Sequence, residues 1–386
     1  MEVLRVKELE RKIYDYVLSH KEDIIKDIMV LAAAESPTAD KSHVDACGKV
    51  LASLYKDRLG AVSSFDAQHT SGDNLVTEVG EGEKRVLIVG HFDTVHPVGS
   101  VPLHRERNIL YGPGVMDMKG GDIAAIWALK TLKDLNINVG KRVTIVNNSD
   151  EEVGSRNSKA LLLEKAKGTC ACIVAEPAQG KEGLIKVARK GNGTITIKCR
   201  GKASHAGSAP QDGVNANIEL AHQIIFAQNL SDYSPGGSTF IPTIISGGKV
   251  HNVVPDYAEA KVDWRVCVVP EIERAKKIFA QRKAVLPGAS VEFDITVGHP
   301  PMEDNEKNRS LFALLSQCAD YLELKDIKAS PMVGGCSDGN DISAAGIPTI
   351  DGMGMVGEFM HNPKEYIFLD KVPERVALMA SFIYHL

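Results

Sequence analysis

No stretch of this chain is apolar for the roughly 20 residues that a membrane-spanning helix needs, and no cluster of lysine and arginine disturbs its nearly balanced charge, net −5 over 386 residues. Membrane and nucleic acid are therefore not expected as partners. The first thirty residues have neither the apolar centre of a secretory signal nor the acid-poor composition of a transit peptide. Cysteine is sparse, seven in all and scattered, an odd number that does not suit a disulfide framework. A reducing, cytoplasmic location is the expectation. Cys170 and Cys172 share one face of an expected strand and read as small buried residues, with a thiol metal site as the alternative. No fixed-period repeat is visible. The glycine-rich stretch Tyr111-Gly-Pro-Gly-Val-Met-Asp-Met-Lys-Gly-Gly121 lacks the Gly-Lys-Ser/Thr ending of a phosphate loop.

What is present is ordinary in bulk, with 44% hydrophobic and 25% charged residues, and long enough that two domains are expected rather than one core. Leu9 to Leu31 reads as one helix and His43 to Leu59 as another. Val86 to Val89 is a short uninterrupted apolar run, as a strand buried on both faces of a parallel sheet requires. Val143 to Asn147 and Ala171 to Ala175 repeat the pattern, with glycine-rich or helical segments between, which argues for an α/β fold with a mostly parallel sheet flanked by helices. From about residue 188 the order becomes strand, helix, strand, strand, helix, strand, that of a ferredoxin-like α+β unit. The expected division is 1–187 plus 299–386 for the first domain and 188–298 for an inserted one.

Polar groups collect where the apolar runs end. His91 and Asp93 follow the first, Asp150-Glu-Glu152 the second and Glu176 the third, while Asp117 lies in the glycine-rich loop and His361 near the C-terminus. In an open α/β sheet, ligands bind at the carboxyl ends of the strands. Adjacent acids such as Asp150 to Glu152 repel one another, so they are either solvated or neutralised by cations. Two imidazoles with several carboxylates suit zinc, and would accept cobalt or manganese. One carboxylate bridging two such metals makes the pair that activates water and polarises a carbonyl. His69, His96 and His104 read as surface or loop residues.

In order along the chain, Gly-His-Phe-Asp-Thr-Val, Gly-Val-Met-Asp-Met-Lys-Gly-Gly, Asp-Glu-Glu-Val-Gly-Ser, Ala-Glu-Pro, Ala-Ser-His-Ala-Gly and Met-His-Asn-Pro-Lys-Glu-Tyr resemble the dinuclear zinc aminoacylase/carboxypeptidase family. That family includes glutamate carboxypeptidase of the G type, acetylornithine deacetylase, succinyl-diaminopimelate desuccinylase and peptidase T, and the wording is most similar to the first. The resemblance implies two zinc ions per subunit. One would be held by His91 and Glu176, the other by Glu152 and His361, with Asp117 bridging. It implies that Asp93 orients His91 through the other ring N–H, that the peptide after Asp117 is cis, and that Glu151 is the general base. His205 and Asn252 would reach the scissile carbonyl oxygen from a partner subunit, making the inserted domain a lid and dimerisation domain and the protein a homodimer. Arg265 would grip the free carboxylate of the substrate. Gly334 and Gly335 would let the backbone approach it, and Cys336 stands where the G-type enzyme has glycine, still offering its backbone N–H. The implied activity is cleavage of an amide bond beside a free carboxylate, in a small peptide or N-acyl amino acid. A deacylase of the acetylornithine or diaminopimelate type is the alternative, and a non-catalytic binding module that retains the fold is the alternative of another class.

Overall fold

The computed structural model describes residues 2–325 and 327–386, so residue 1 of the expected first domain lies outside the described residues. The chain opens with α1 (Glu2–Ser19), α2 (Lys21–Ala33) and α3 (Lys41–Leu59). The single helix expected over 9–31 is thus two. The break falls at His20, whose ring bonds the Tyr16 carbonyl at 2.8 Å while the Ser19 hydroxyl bonds the same oxygen at 2.7 Å. Side chains that capture a carbonyl in this way compete with the helical ladder. The helix expected from His43 starts two residues earlier because Asp40 accepts from the Ser42 and His43 N–H groups and caps it.

There follow β1 (Ser64–Asp66), β2 (Asn74–Val79), β3 (Lys84–His91), β4 (His104–Glu106), β5 (Ile109–Tyr111), α4 (Lys119–Asp134), β6 (Lys141–Asn148), α5 (Lys159–Ala166) and β7 (Ala171–Val174). Next come β8 (Gly191–Arg200), α6 (Ala216–Gln228), β9 (Thr239–Gly247), β10 (Tyr257–Val266), α7 (Val269–Gln281) and β11 (Ser290–Val297). The chain closes with α8 (Glu306–Tyr321), α9 (Asp338–Ala344), β12 (Thr349–Ile350), β13 (Gly357–Glu358), β14 (Tyr366–Phe368) and α10 (Val372–His385).

Two compact units result. The first is Met1–Ala188, Asp304–Pro331 and Ser337–Leu386. Its main sheet has the order β1-β2-β6-β3-β7-β12, parallel from β6 to β12, with β2 and β1 antiparallel at one edge. The apolar run of β3 is explained by its two faces. Val86 and Ile88 enter the larger core with α3, α4 and α10, while Leu87 and Val89 enter a second with Leu162 of α5 and Ile342 of α9. Successive side chains of a strand point to opposite faces, so a strand covered on both sides needs every position apolar.

The second unit is Arg189–Glu303 together with Met332–Cys336. Its sheet, order β11-β8-β10-β9, is antiparallel throughout, the ferredoxin-like arrangement. Ile195, Ile197, Leu220, Phe240, Val262, Trp264 and Phe279 form its core. Against the expected bounds 188–298, this unit runs from Arg189 to Glu303 and adds a separate segment, Met332–Cys336. Gly334, Gly335 and Cys336 belong to this unit rather than to 299–386, because the Lys190 N–H donates to the Val333 carbonyl at 2.8 Å and Arg265 reaches the Gly334 carbonyl at 3.2 Å.

The cysteines are free, and Cys170, expected to be buried, is exposed just before β7. Among the described residues no helix is long and apolar enough to cross a membrane.

Candidate metal centre

The chain visits β6 on one side of β3 and then β7 on the other, and this reversal opens a crevice at the carboxyl end of β3. His91 is the last residue of β3. Glu151 and Glu152 lie in a short turn of helix beyond β6, and Glu176 follows β7 by two residues. Asp117 comes from the loop between β5 and α4, and its peptide bond to Met118 is cis. His361, on the turn between β13 and β14, has a left-handed backbone, φ 60°, a conformation that non-glycine residues adopt at a cost and that clusters at functional sites.

These six side chains converge. Asp117 Oδ1 is 3.2 Å from His91 Nε2, and its Oδ2 is 3.1 Å from His361 Nε2. Glu176 Oε1 lies 3.4 Å from His91 Nε2 and Glu152 Oε2 lies 3.1 Å from His361 Nε2. Glu151 Oε2 stands on the His91 side, at 3.9 Å. Candidate ligand atoms of His91, Glu151 and Glu176, and of His91, Asp117 and Glu152, fall within 4.8 Å of one another. His91 Nε2 and Asp117 Oδ1 are buried without a hydrogen-bond partner. Such atoms carry a desolvation penalty that a divalent cation between them would remove, and a set of imidazole nitrogens and carboxylate oxygens fits zinc, cobalt or manganese.

Asp93 meets His91 through both its backbone and its carboxylate. The His91 Nδ1 faces the Asp93 backbone carbonyl at 3.1 Å more closely than the Asp93 carboxylate at 3.3 Å. The carboxylate accepts from the Thr38 hydroxyl at 2.8 Å and from the Glu151 and Glu152 N–H groups at 3.3 Å, tying the end of β3 to the acid-bearing turn. Of the adjacent acids, Asp150 is structural. It is buried, and it accepts from the Asn157 N–H at 2.7 Å and the Ser158 hydroxyl at 2.6 Å.

The electrostatics follow from crowding. Burial disfavours a charged His91, yet the carboxylates of Asp117, Asp93 and Glu176 outweigh it and raise its pKa well above the usual imidazole range. Bonds to Asp117 and Glu152 push His361 up to about 11. Burial works against Asp117, but His361 and His91 hold it far below the usual carboxylate range. Burial raises Glu151 well above that range; the His91 charge only partly offsets the push from burial, Glu176, Asp338 and Glu152. Imidazole ligates as the neutral base, so uptake of a cation here releases protons.

The other expected residues belong to the second unit, in two places. His205 and Asn252 are exposed on adjoining turns, linked by the Ala206 N–H donating to the Asn252 carbonyl at 2.9 Å. His205 Nδ1 accepts from the Gly207 and Ser208 N–H groups, both at 3.1 Å, so a neutral ring carries its proton on Nε2. Arg265 is half-buried, and its guanidinium is held by both oxygens of Asp263 at 2.9 and 3.0 Å, leaving only part of its donor fork for a ligand. A Cβ added at Gly334 would meet open space, and the Gly335 carbonyl accepts from Arg189 at 3.0 Å. Cys336 is partly exposed, with Sγ 3.1 Å from the Lys190 carbonyl oxygen and 3.9 Å from an Arg265 nitrogen. Arg265 pairs with Asn192 at one end of the β8–β10 ladder, and Tyr257 pairs with Arg200 at the other, beyond which His205 lies. Eight residues of strand, about 27 Å, separate those ends.

Sequence reasoning missed Asp263, which braces Arg265, and Glu365, which is fully buried beside the loop of Asp117. His96, read as a surface or loop residue, lies in the loop after β3, and there it is buried. His96 is 5% exposed, its Nε2 2.8 Å from a Glu365 oxygen. His69 and His104 are exposed.

Residues 87–385 match peptidase family M20/M25/M40. Carboxypeptidase G2 of Pseudomonas sp. (strain RS-16) is 30% identical over 369 residues, 93% of this chain and 88% of the relative. Succinyl-diaminopimelate desuccinylase of Aliarcobacter butzleri is 29% identical over 302 residues, 73% and 79% of the two chains. The solved structure of aminopeptidase PepT from Bacillus cereus shares the fold, with a TM-score of 0.79 at 23% identity over 95% of this chain and 98% of that one. With the match running from β3 to α10, over the strands and loops that bring the histidines and acids together, the chain belongs to peptidase family M20/M25/M40 and is a metal-dependent hydrolase of the peptidase and aminoacylase type.

Proposed function

We propose that the protein is a di-zinc amidohydrolase that cleaves the amide bond beside a free α-carboxylate, releasing a C-terminal amino acid from a small peptide or N-acyl amino acid. The observation that carries this is Asp117, whose two oxygens each face a different imidazole. The 30% identity to carboxypeptidase G2 supports the substrate class. His91, Glu176 and Asp117 would hold one zinc, and Asp117, Glu152 and His361 the other. Bound there, the cations supply polarisation of the scissile carbonyl and acidification of the attacking water.

The residues of the chain do the rest. Attack of water on the carbonyl carbon needs a base for its proton, and breaking the C–N bond needs an acid for the leaving nitrogen. Glu151, whose pKa burial raises well above the usual carboxylate range, would take both tasks, accepting a proton and then returning it. His205 through Nε2–H, and Asn252, would donate to the carbonyl oxygen as charge develops on it. Arg265, aimed by Asp263, would bind the carboxylate.

A homodimer belongs to this reading, and a distance supports it. In a C-terminal residue the carboxylate and the scissile carbonyl are separated by about one residue, ~3.8 Å, whereas eight residues of strand, about 27 Å, lie between Arg265 and Tyr257, the end of the ladder beyond which the chain turns to His205. One subunit would supply Arg265, and its partner His205 and Asn252. The edge strand β9, with Ile244 and Ile245 56% and 62% exposed, offers the unpaired backbone for the association.

The test is a panel of dipeptides, N-acyl amino acids, acetylornithine and succinyl-diaminopimelate, assayed with zinc, cobalt or manganese. Release of C-terminal amino acids, abolished by a chelator, is expected. Preference for the last two substrates would replace this reading with a deacylase, and no turnover by protein loaded with two metals would leave a binding module.

A further inference from the structure

Glu365 lies between the His361 turn and β14, and no part of its carboxylate reaches solvent. Its Oε1 accepts from the N–H groups of Met116 at 2.8 Å and Asp117 at 2.9 Å. Its Oε2 accepts from the N–H of Gly114 at 3.1 Å and faces His96 Nε2 at 2.8 Å. With Glu365 accepting there, His96 carries its proton on Nε2. The Glu365 backbone carbonyl accepts from the Gly112 N–H. The loop thus turns the N–H groups of Gly114, Met116 and Asp117 onto one buried carboxylate, a nest. Gly114 makes the curl possible, with φ +74° and Thr94 Cγ2 at 2.9 Å from where a Cβ would stand.

We infer that Glu365, braced by His96, is a positioning residue for the metal centre: it fixes the peptide of the bridging Asp117 relative to His361, four residues before it in the chain. The turn couples the two. The Glu365 N–H donates to the Asn362 carbonyl at 2.9 Å, and the Asn362 N–H to the Phe359 carbonyl at 3.0 Å, so His361 lies inside a hydrogen-bonded turn whose end grips the Asp117 loop. Both oxygens of Asp117 must be placed to within a fraction of an ångström to serve two cations, and groups that hold ligands commonly change metal affinity by roughly 10–100-fold when removed. The bland alternative is a buried acid that stabilises the unit without bearing on the metals.

This inference rests on the di-metal reading, and the test separates the two. Zinc affinity of the full-length, metal-stripped protein is measured by chelator competition, and the visible absorption of the cobalt-loaded protein reports ligand geometry. The variants are Glu365→Gln, His96→Phe and, as a control for general loss of stability, Asp27→Asn, which weakens the Arg58–Asp27 pair of the same unit, 2.7 Å. Glu365→Gln keeps the shape but sets an NH2 group against N–H donors or His96. It should lower zinc affinity about 10–100-fold and alter the cobalt spectrum, His96→Phe should do both to a lesser degree, and Asp27→Asn should shift only the melting temperature. If Glu365→Gln does not fold, His96→Phe alone decides. Wild-type affinity and spectrum in the deciding variant, or an equal loss in Asp27→Asn, overturns the inference while the metal reading stands. Failure of the wild type to bind two cations overturns both.

Discussion

The two units carry their candidate residues in opposite ways. In the first, His91, Asp93, Asp117 and Glu176 are buried at the ends of strands or in the loop before α4, and only His361 stands exposed on its turn. In the second, His205 and Asn252 are exposed on turns, and Arg265 is half-buried with a brace of its own. The contrast is one of task. On the proposed reading, groups that hold a cation need pre-arrangement against mutual repulsion, which a rigid, desolvated frame provides, whereas groups that would meet the substrate from a partner subunit have to be reachable.

The largest expected effect falls on the buried side. Glu151→Gln should cut kcat by roughly 10²–10⁴-fold and leave two metals per chain, read by turnover assay and metal analysis. Mixing it with His205→Ala, itself impaired, should restore turnover, because one site of a mixed dimer then has an intact Glu151 and an intact His205. Absence of recovery would break the cross-subunit half of the contrast. Ile88→Ala, in the doubly covered strand β3, should cost about 2–5 kcal/mol in urea unfolding. Arg265→Lys removes the planar fork and, at ~1.5–3 kcal/mol for a charged hydrogen bond, should raise KM for carboxylate substrates about 10–100-fold with little change in kcat. At the small end, Ile245→Ala on the exposed edge of β9 should change unfolding by no more than about 0.5 kcal/mol, while weakening self-association in sedimentation at micromolar protein.

What was legible in the sequence, and what was not, divides along the kind of partner each residue has. The β3 run announced itself because burial on two faces leaves no polar position, and His91, Glu152 and Glu176 could be found because they end such runs. The alternation in β8 and the order of the surrounding elements gave the ferredoxin-like unit. Glu365 was invisible because its partners are backbone N–H groups some 250 residues away, which have no side-chain signature; a lone acid between His361 and the strand β14 was the only trace. His96 lies in a loop as expected, but its burial depends on that same hidden carboxylate. The break at His20 depends on two side chains choosing one carbonyl, a contest that helical periodicity does not register. The reassignment of Met332–Cys336 likewise turns on contacts with Lys190 and Arg265, which no spacing reveals.

The most direct test is anomalous diffraction at the zinc edge from crystals of the full chain grown with zinc. Two strong peaks flanking the Asp117 carboxylate, one toward His91 and Glu176 and one toward His361 and Glu152, are what the account predicts. A single peak, or none near Asp117 with the rest of the protein ordered, would contradict it.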